Sequence, residues 1–100
     1  MCTSIVEVVR AEGAGKGEGG WFDLTNAVVS YDHPHHAWYE EAITIDFVNP
    51  GLGAGARVAV EISLESAKEL AAALARAIAA ADEVEADRPR DTLKTDSAAA

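Results

Sequence analysis

The sequence predicts an α+β domain, in which a four-stranded antiparallel sheet with meander order is followed by one C-terminal amphipathic helix that packs on one face. Three observations support this class. Four segments rich in β-branched residues precede residue 63. The segments that join them are short, which favours antiparallel neighbours. One stretch with three-four apolar spacing follows the last of them.

The first half of the chain contains two predicted strands around a glycine-rich segment. The valines and isoleucine of TSIVEVVRAE predict a strand from about Thr3 to Arg10. The segment GAGKGEGG, Gly13 to Gly20, offers few side chains for packing and predicts a flexible loop. A second strand is expected from Asn26 to about His33, before a proline. Trp21 and Phe22 are expected to close one end of the core.

The third and fourth strands show alternation of apolar and polar residues. In AITIDFVN, Ile43, Ile45 and Phe47 lie on one face, and Thr44, Asp46 and Val48 lie on the other. In RVAVEI, residues 57–62, the core side is predicted to carry Val58, Val60 and Ile62. The opposite face is polar and acidic, and it is solvated, paired with a second subunit, or part of a site; its members include Thr44, Asp46, Ala59 and Glu61.

The helix is the clearest predicted element. Its apolar stripe is formed by Leu64, Ala67, Leu70, Ala71, Leu74, Ala77, Ile78 and Ala81. Ser63 or Ser66 is the expected N-cap. Because Pro89 cannot continue a helix, the end is expected between Ala81 and Ala86. We therefore expect a single domain over residues 1–86 and a disordered tail over residues 87–100.

Composition and charge exclude several classes of function. The net charge of −9 and the pI near 4.6 argue against binding to nucleic acid or to an anionic membrane surface. No apolar run reaches the roughly 18 residues of a membrane span. Cys2 is the single cysteine, so an intrachain disulfide is impossible and a cytoplasmic location is expected.

All three histidines lie in the stretch SYDHPHHAWYEEA, residues 30–42. Imidazole ligates metals and exchanges protons near neutral pH. If the residues after His36 form a helical turn, Glu40 lies on the same face as His36. With His33, these two residues then form a ligand set of two histidines and one carboxylate. Asp32 is expected to orient one imidazole by a hydrogen bond. The expected cofactor, if one binds, is a divalent transition metal.

Two other interpretations of the stretch stay open. His33 or His36 with Glu40 also fits a metal-free acid–base site, and an ordinary solvated turn has the same composition. No established metal signature such as H-E-x-x-H is present. Trp38 and Tyr39 fit either the lip of a small-molecule pocket or a cap on the core, and the core role is expected for at least one of them.

Several motifs resemble those of a family of small bacterial proteins known only as a domain of unknown function. They are the opening MCT, the segment GAGKGEGGWF, NAVVSYDHP with HA shortly after it, and IDFVNP…GARVAVE. The family pattern looks like D-H-P-x-H-A-x-x-E-H. The resemblance covers Met1 to about Ile78, and it implies that Asp32, His33, His36 and Glu40 act as a set. The chain departs from the pattern at Glu41, where the family has histidine.

The sequence therefore predicts a protein that binds a small molecule or a metal at the end of the second strand. The same site also fits a small acid–base enzyme that needs no cofactor. We expect the protein to bind a small-molecule ligand and to form a homodimer. The alternative is a homodimeric interaction module without catalytic activity. Its surface would be the second sheet face and the alanine-rich side of the helix, formed by Ala72, Ala73, Ala79 and Ala80.

Overall fold

A computed structural model describes residues 5–88 of the chain. The chain divides into two compact units, Met1–Lys68 and Glu69–Ala100. Cys2 and residues 89–100 of the tail predicted over 87–100 lie outside the described residues. Within residues 5–88, no helix combines the length and the apolar character that crossing a membrane requires.

The first unit is built on a four-stranded antiparallel sheet with the order β1-β2-β3-β4. Its strands are β1 (Ile5–Gly17), β2 (Gly20–Asp32), β3 (Ala42–Val48) and β4 (Arg57–Ile62). A short 3-10 helix, Pro50–Leu52, joins β3 to β4. The helix α1 (Leu64–Ala86) follows. The predicted class and meander order are confirmed.

The hairpin of β1 and β2 corrects the prediction of a flexible glycine loop. Both strands extend through that segment and pair as far as Gly17 and Gly20. A register shift between Arg10 and Gly13 marks a β-bulge, which bends a strand and increases its twist. A Cβ atom on Gly17 would lie 3.3 Å from the Arg57 carbonyl oxygen. The missing side chain thus allows the end of β1 to approach β4 closely.

Cross-strand register assigns each strand residue to one face of the sheet, because directly paired residues point the same way. The apolar face includes one acidic residue, Glu7, and these apolar or aromatic residues: Ile5, Val9, Ala27, Val29, Tyr31, Ile43, Ile45, Phe47, Val58, Val60 and Ile62. The polar face includes Asn26, Ser30, Thr44, Asp46, Arg57 and Glu61. The faces predicted for β3 and β4 are therefore confirmed.

Trp21, Trp38 and Tyr39 do not take the core positions that the sequence predicts, whereas Phe22 of β2 is half-buried. Trp21 is 71 % exposed, Trp38 is 98 % exposed and Tyr39 is 50 % exposed. Trp21 follows the tight turn of the first hairpin, and Trp38 and Tyr39 lie in the connection between β2 and β3. Among the described residues, the buried hydrophobic side chains belong to Ala27 and Ala42.

The helix α1 begins and ends where the sequence predicts. The Ser63 hydroxyl oxygen accepts a hydrogen bond from the Ser66 backbone N–H at 3.0 Å, which is the geometry of an N-cap. The last helical residue is Ala86. None of the α1 side chains that the structure describes is buried, so the packing of its apolar stripe on the sheet stays a prediction.

Candidate functional site

The candidate site lies where the β2–β3 ladder ends. The last paired residues are Asp32 and Ala42, and Ala42 is fully buried. Continuing the same antiparallel register by one position sets His33 opposite Glu41. The connecting segment, residues 33–41 (the β2–β3 loop), contains bends and no helical turn. The turn that would have placed Glu40 beside His36 is therefore not formed.

His33 is held between two successive glutamates at the end of the loop. Its Nδ1 atom lies 2.9 Å from Oε2 of Glu41 and 3.1 Å from the carbonyl oxygen of Glu40. The pKa of His33 is raised above 6.5, first because the Glu40 carbonyl accepts a hydrogen bond from Nδ1–H, and then because the Glu41 carboxylate is negative. This imidazole therefore retains its proton to a higher pH than a histidine with the ordinary pKa does.

Asp32 completes the group around His33. Its carboxylate accepts a hydrogen bond from the His33 backbone N–H at 2.7 Å. Asp32, His33 and Glu41 each offer one ligand atom, and these atoms lie within 4.8 Å of one another. A tetrahedral metal with ligand bonds of about 2.0 to 2.2 Å sets neighbouring ligands about 3.3 to 3.6 Å apart. The 2.9 Å spacing between His33 and Glu41 is that of a hydrogen-bonded ion pair, so an ion bound there would replace the Nδ1 proton and move the two groups apart by a few tenths of an ångström.

Of the four residues predicted as a set, the structure brings Asp32 and His33 together and adds Glu41. Glu40 contributes its carbonyl oxygen, not its carboxylate, to the contact with His33. His36 contributes its backbone N–H to a different carboxylate, that of Glu61. The proposed roles of the His36 and Glu40 side chains as ligands or proton carriers stay predictions.

Glu61 of β4 is a central residue that the sequence did not single out. Its carboxylate accepts hydrogen bonds from the backbone N–H groups of His35, His36 and Ala37, at 2.7, 2.8 and 2.9 Å. These bonds lower the pKa of Glu61 to about 2. The only signal in the sequence was an acidic residue on the polar face, which is also what a solvated strand shows.

The loop and the polar face line two adjoining hollows that are open to solvent. One measures about 540 Å³ and is lined by His35, His36, Ala37, Arg57, Ala59 and Glu61. A smaller one, of about 190 Å³, shares His35, Arg57, Ala59 and Glu61 with it and also contacts Asp32 and His33. Arg57 pairs with Asp46 at 3.3 Å, and the hydroxyls of Ser30 and Thr44 share a short hydrogen bond. The site thus combines a titratable group with a polar concavity.

Fold and site together define an α+β domain with a histidine–carboxylate group at the end of a sheet strand. The chain belongs to the family of unknown function DUF6295, whose model matches residues 1–87. The resemblance seen in the sequence is therefore confirmed at the level of the family. The comparisons with curated proteins and with solved structures found no match.

Proposed function

We propose that this domain binds a divalent transition-metal ion through Asp32, His33 and Glu41. The observation that carries the proposal is the convergence of three ligand atoms, one from each residue, within 4.8 Å. One imidazole and two carboxylates form a mixed nitrogen and oxygen set, which suits ions such as Mn²⁺, Fe²⁺, Co²⁺ and Zn²⁺.

The position of the group in the fold supports this proposal. Asp32 is the last residue of β2, and Glu41 immediately precedes β3. Backbone pairing and the burial of Ala42 fix that end of the ladder. Because Asp32 ends a paired strand and His33 and Glu41 directly adjoin the last pair of the ladder, the ordering cost of binding an ion is low.

Three protein ligands leave coordination positions for water or for a small molecule. The smaller hollow beside Asp32 and His33 supports a small-molecule ligand at this place. Arg57 lines the same hollow and is paired there with Asp46. We therefore propose a metal-dependent binding site for a small polar molecule, without assigning a reaction.

Calorimetric titration of metal-free protein with Zn²⁺, Co²⁺ and Mn²⁺ tests the proposal. We expect stoichiometric binding of at least one ion, and its loss in His33→Ala and in Glu41→Gln. His36→Ala and Glu40→Gln are matched controls from the same loop, because their contacts near the site come from the backbone. Loss of binding in the controls alone, or no binding in the wild type, contradicts the proposal.

A second candidate function is metal-free acid–base chemistry by His33 with Glu41. The ion pair at 2.9 Å and the raised pKa of His33 favour it. NMR titration of the metal-free protein tests this candidate through the His33 ring signals. A raised pKa that falls in Glu41→Gln, in a protein that binds no metal, supports the acid–base role, whereas an ordinary pKa contradicts it.

We also propose that the protein forms a homodimer and that it is located in the cytoplasm. On the apolar face, Ile5 is 54 % exposed, Val9 is 51 % exposed and Val60 is 38 % exposed, and such a surface favours pairing with a second copy. The acidic composition and the single cysteine support the location. Native mass spectrometry tests the dimer, and a strict monomer at micromolar concentration contradicts it.

A further inference from the structure

We infer that Glu61 is a positioning residue, which holds the β2–β3 loop from the neighbouring strand β4 and thereby keeps His33 and Glu41 in register. The part of this inference that concerns metal affinity rests on the proposed function. Glu61 itself does not belong to the group of Asp32, His33 and Glu41.

Three consecutive backbone N–H groups converge on the Glu61 carboxylate, and all three distances are below 3.0 Å. Consecutive N–H groups that point at one anion form the concave arrangement called a nest. In this chain the anion is a side chain of the protein. A hydrogen bond to a charged acceptor is stronger than one between neutral groups, so Glu61 is the main described anchor of residues 35–37.

The place of Glu61 in the sheet explains how it acts on the loop. Its partner in the ladder is Thr44 of β3, and it lies on the polar face. The loop joins β2 to β3, so a contact with Glu61 ties it to a third strand. The pair of Asp32 and Ala42 fixes both ends of the loop, and Glu61 fixes residues 35–37 in its first half. His33 lies between these two anchors.

Replacing Glu61 by glutamine removes the charge that this arrangement needs. The amide keeps one acceptor oxygen, but its nitrogen is a donor and cannot accept from the loop N–H groups. Residues 35–37 then lose part of their anchor, and the connection to Glu40 and Glu41 loosens. Loss of a group that orients metal ligands typically weakens metal binding by about 10- to 100-fold. We expect about tenfold here.

Two measurements on the metal-free protein test the inference independently of metal binding. Amide exchange reports on His35, His36 and Ala37, and nuclear Overhauser contacts report on the His33 ring and the Glu41 side chain. In Glu61→Gln we expect the protection and the contacts to be lost while the other strand amides stay protected. Glu12→Gln is the control, since Glu12 pairs with Arg10 on β1 in an exposed ion pair.

Chemical rescue separates loss of the carboxylate from general damage. In Glu61→Ala, added acetate or formate is expected to restore protection of the three amides and the His33–Glu41 contacts. Titration of Glu61→Gln with Co²⁺ or Zn²⁺ should give about tenfold weaker binding. Unchanged exchange and contacts in Glu61→Gln overturn the inference. Wild-type protein that binds no metal but shows these losses in the variant overturns the proposed function and leaves the positioning role supported.

Discussion

His33 and Glu41 face each other at 2.9 Å because they are the first residue pair beyond the Asp32–Ala42 pair that ends the β2–β3 ladder. Antiparallel register therefore brings an imidazole and a carboxylate together without a helical turn in the loop. Asp32, one residue before His33, adds a second carboxylate to the same group. The candidate metal site is in this way a consequence of strand pairing.

The raised pKa of His33 predicts the pH dependence of metal binding. A proton on the imidazole competes with the ion. Apparent affinity should therefore rise with pH through the raised pKa of His33, and level off above it. Titration calorimetry at several pH values measures this dependence. An affinity that stays constant or falls as the pH rises through this value contradicts competition between the proton and the ion at His33.

The same shift predicts how His33 affects stability. Because its pKa is raised in the folded state, the stabilisation from protonated His33 is fully present below pH 6.5, the ordinary value, and is lost as the pH rises through the folded value. Denaturant unfolding of wild type and His33→Ala should therefore show a stability difference that decreases with increasing pH. A difference that increases with pH over this range is inconsistent with the ion pair.

Glu61 predicts the opposite pH dependence. Its pKa is lowered from 4.5 to about 2, so its stabilisation is present above pH 4.5 and is lost as the pH falls toward 2. The stability difference between wild type and Glu61→Gln should be constant near neutrality and should shrink below pH 4.5. Chemical denaturation across pH 2–7 measures it. A constant difference in stability over the whole pH range contradicts the claim that the charged Glu61 carboxylate anchors residues 35–37.

The close approach of the first hairpin to β4 predicts different effects at two glycines. At Gly17 a Cβ atom would lie 3.0 Å from the Phe22 ring and 3.3 Å from a backbone oxygen of Arg57, whereas at Gly19 nothing lies within 4 Å. Gly17→Ala should destabilise the protein by about 1 to 3 kcal/mol through overpacking. Gly19→Ala should change stability by less than about 0.5 kcal/mol. Equal midpoints of urea unfolding for the two variants contradict the contact.

The elements that the sequence predicted well carry their signal locally. β3 and β4 alternate apolar and polar residues except at Ala42, Val48 and Ala59. The start and end of α1 are marked by Ser63 and Pro89. The glycine-rich half of the first hairpin was missed because glycine has weak strand propensity. The pairing of this segment depends on the partner strand and on the space beside β4. Neither can be inferred from a short segment of the sequence.

The site was predicted in part for the same reason. The proximity of Asp32 and His33 follows from their adjacent places at a strand end, and the roles proposed for their side chains stay predictions. Glu41 could have been found by extending the register from the predicted strands, but the assumed helical turn favoured Glu40. Glu61 is separated from its loop partners by more than 20 residues, and such a contact leaves no local pattern.

The most direct test of the account is calorimetric titration of metal-free protein with Zn²⁺ at pH 7.5, for the wild type, Glu41→Gln and Glu40→Gln. The account predicts stoichiometric binding in the wild type and in Glu40→Gln, and its loss in Glu41→Gln. Binding that survives Glu41→Gln and is lost in Glu40→Gln, or a wild type that binds no metal, contradicts the claim that Asp32, His33 and Glu41 form a metal site.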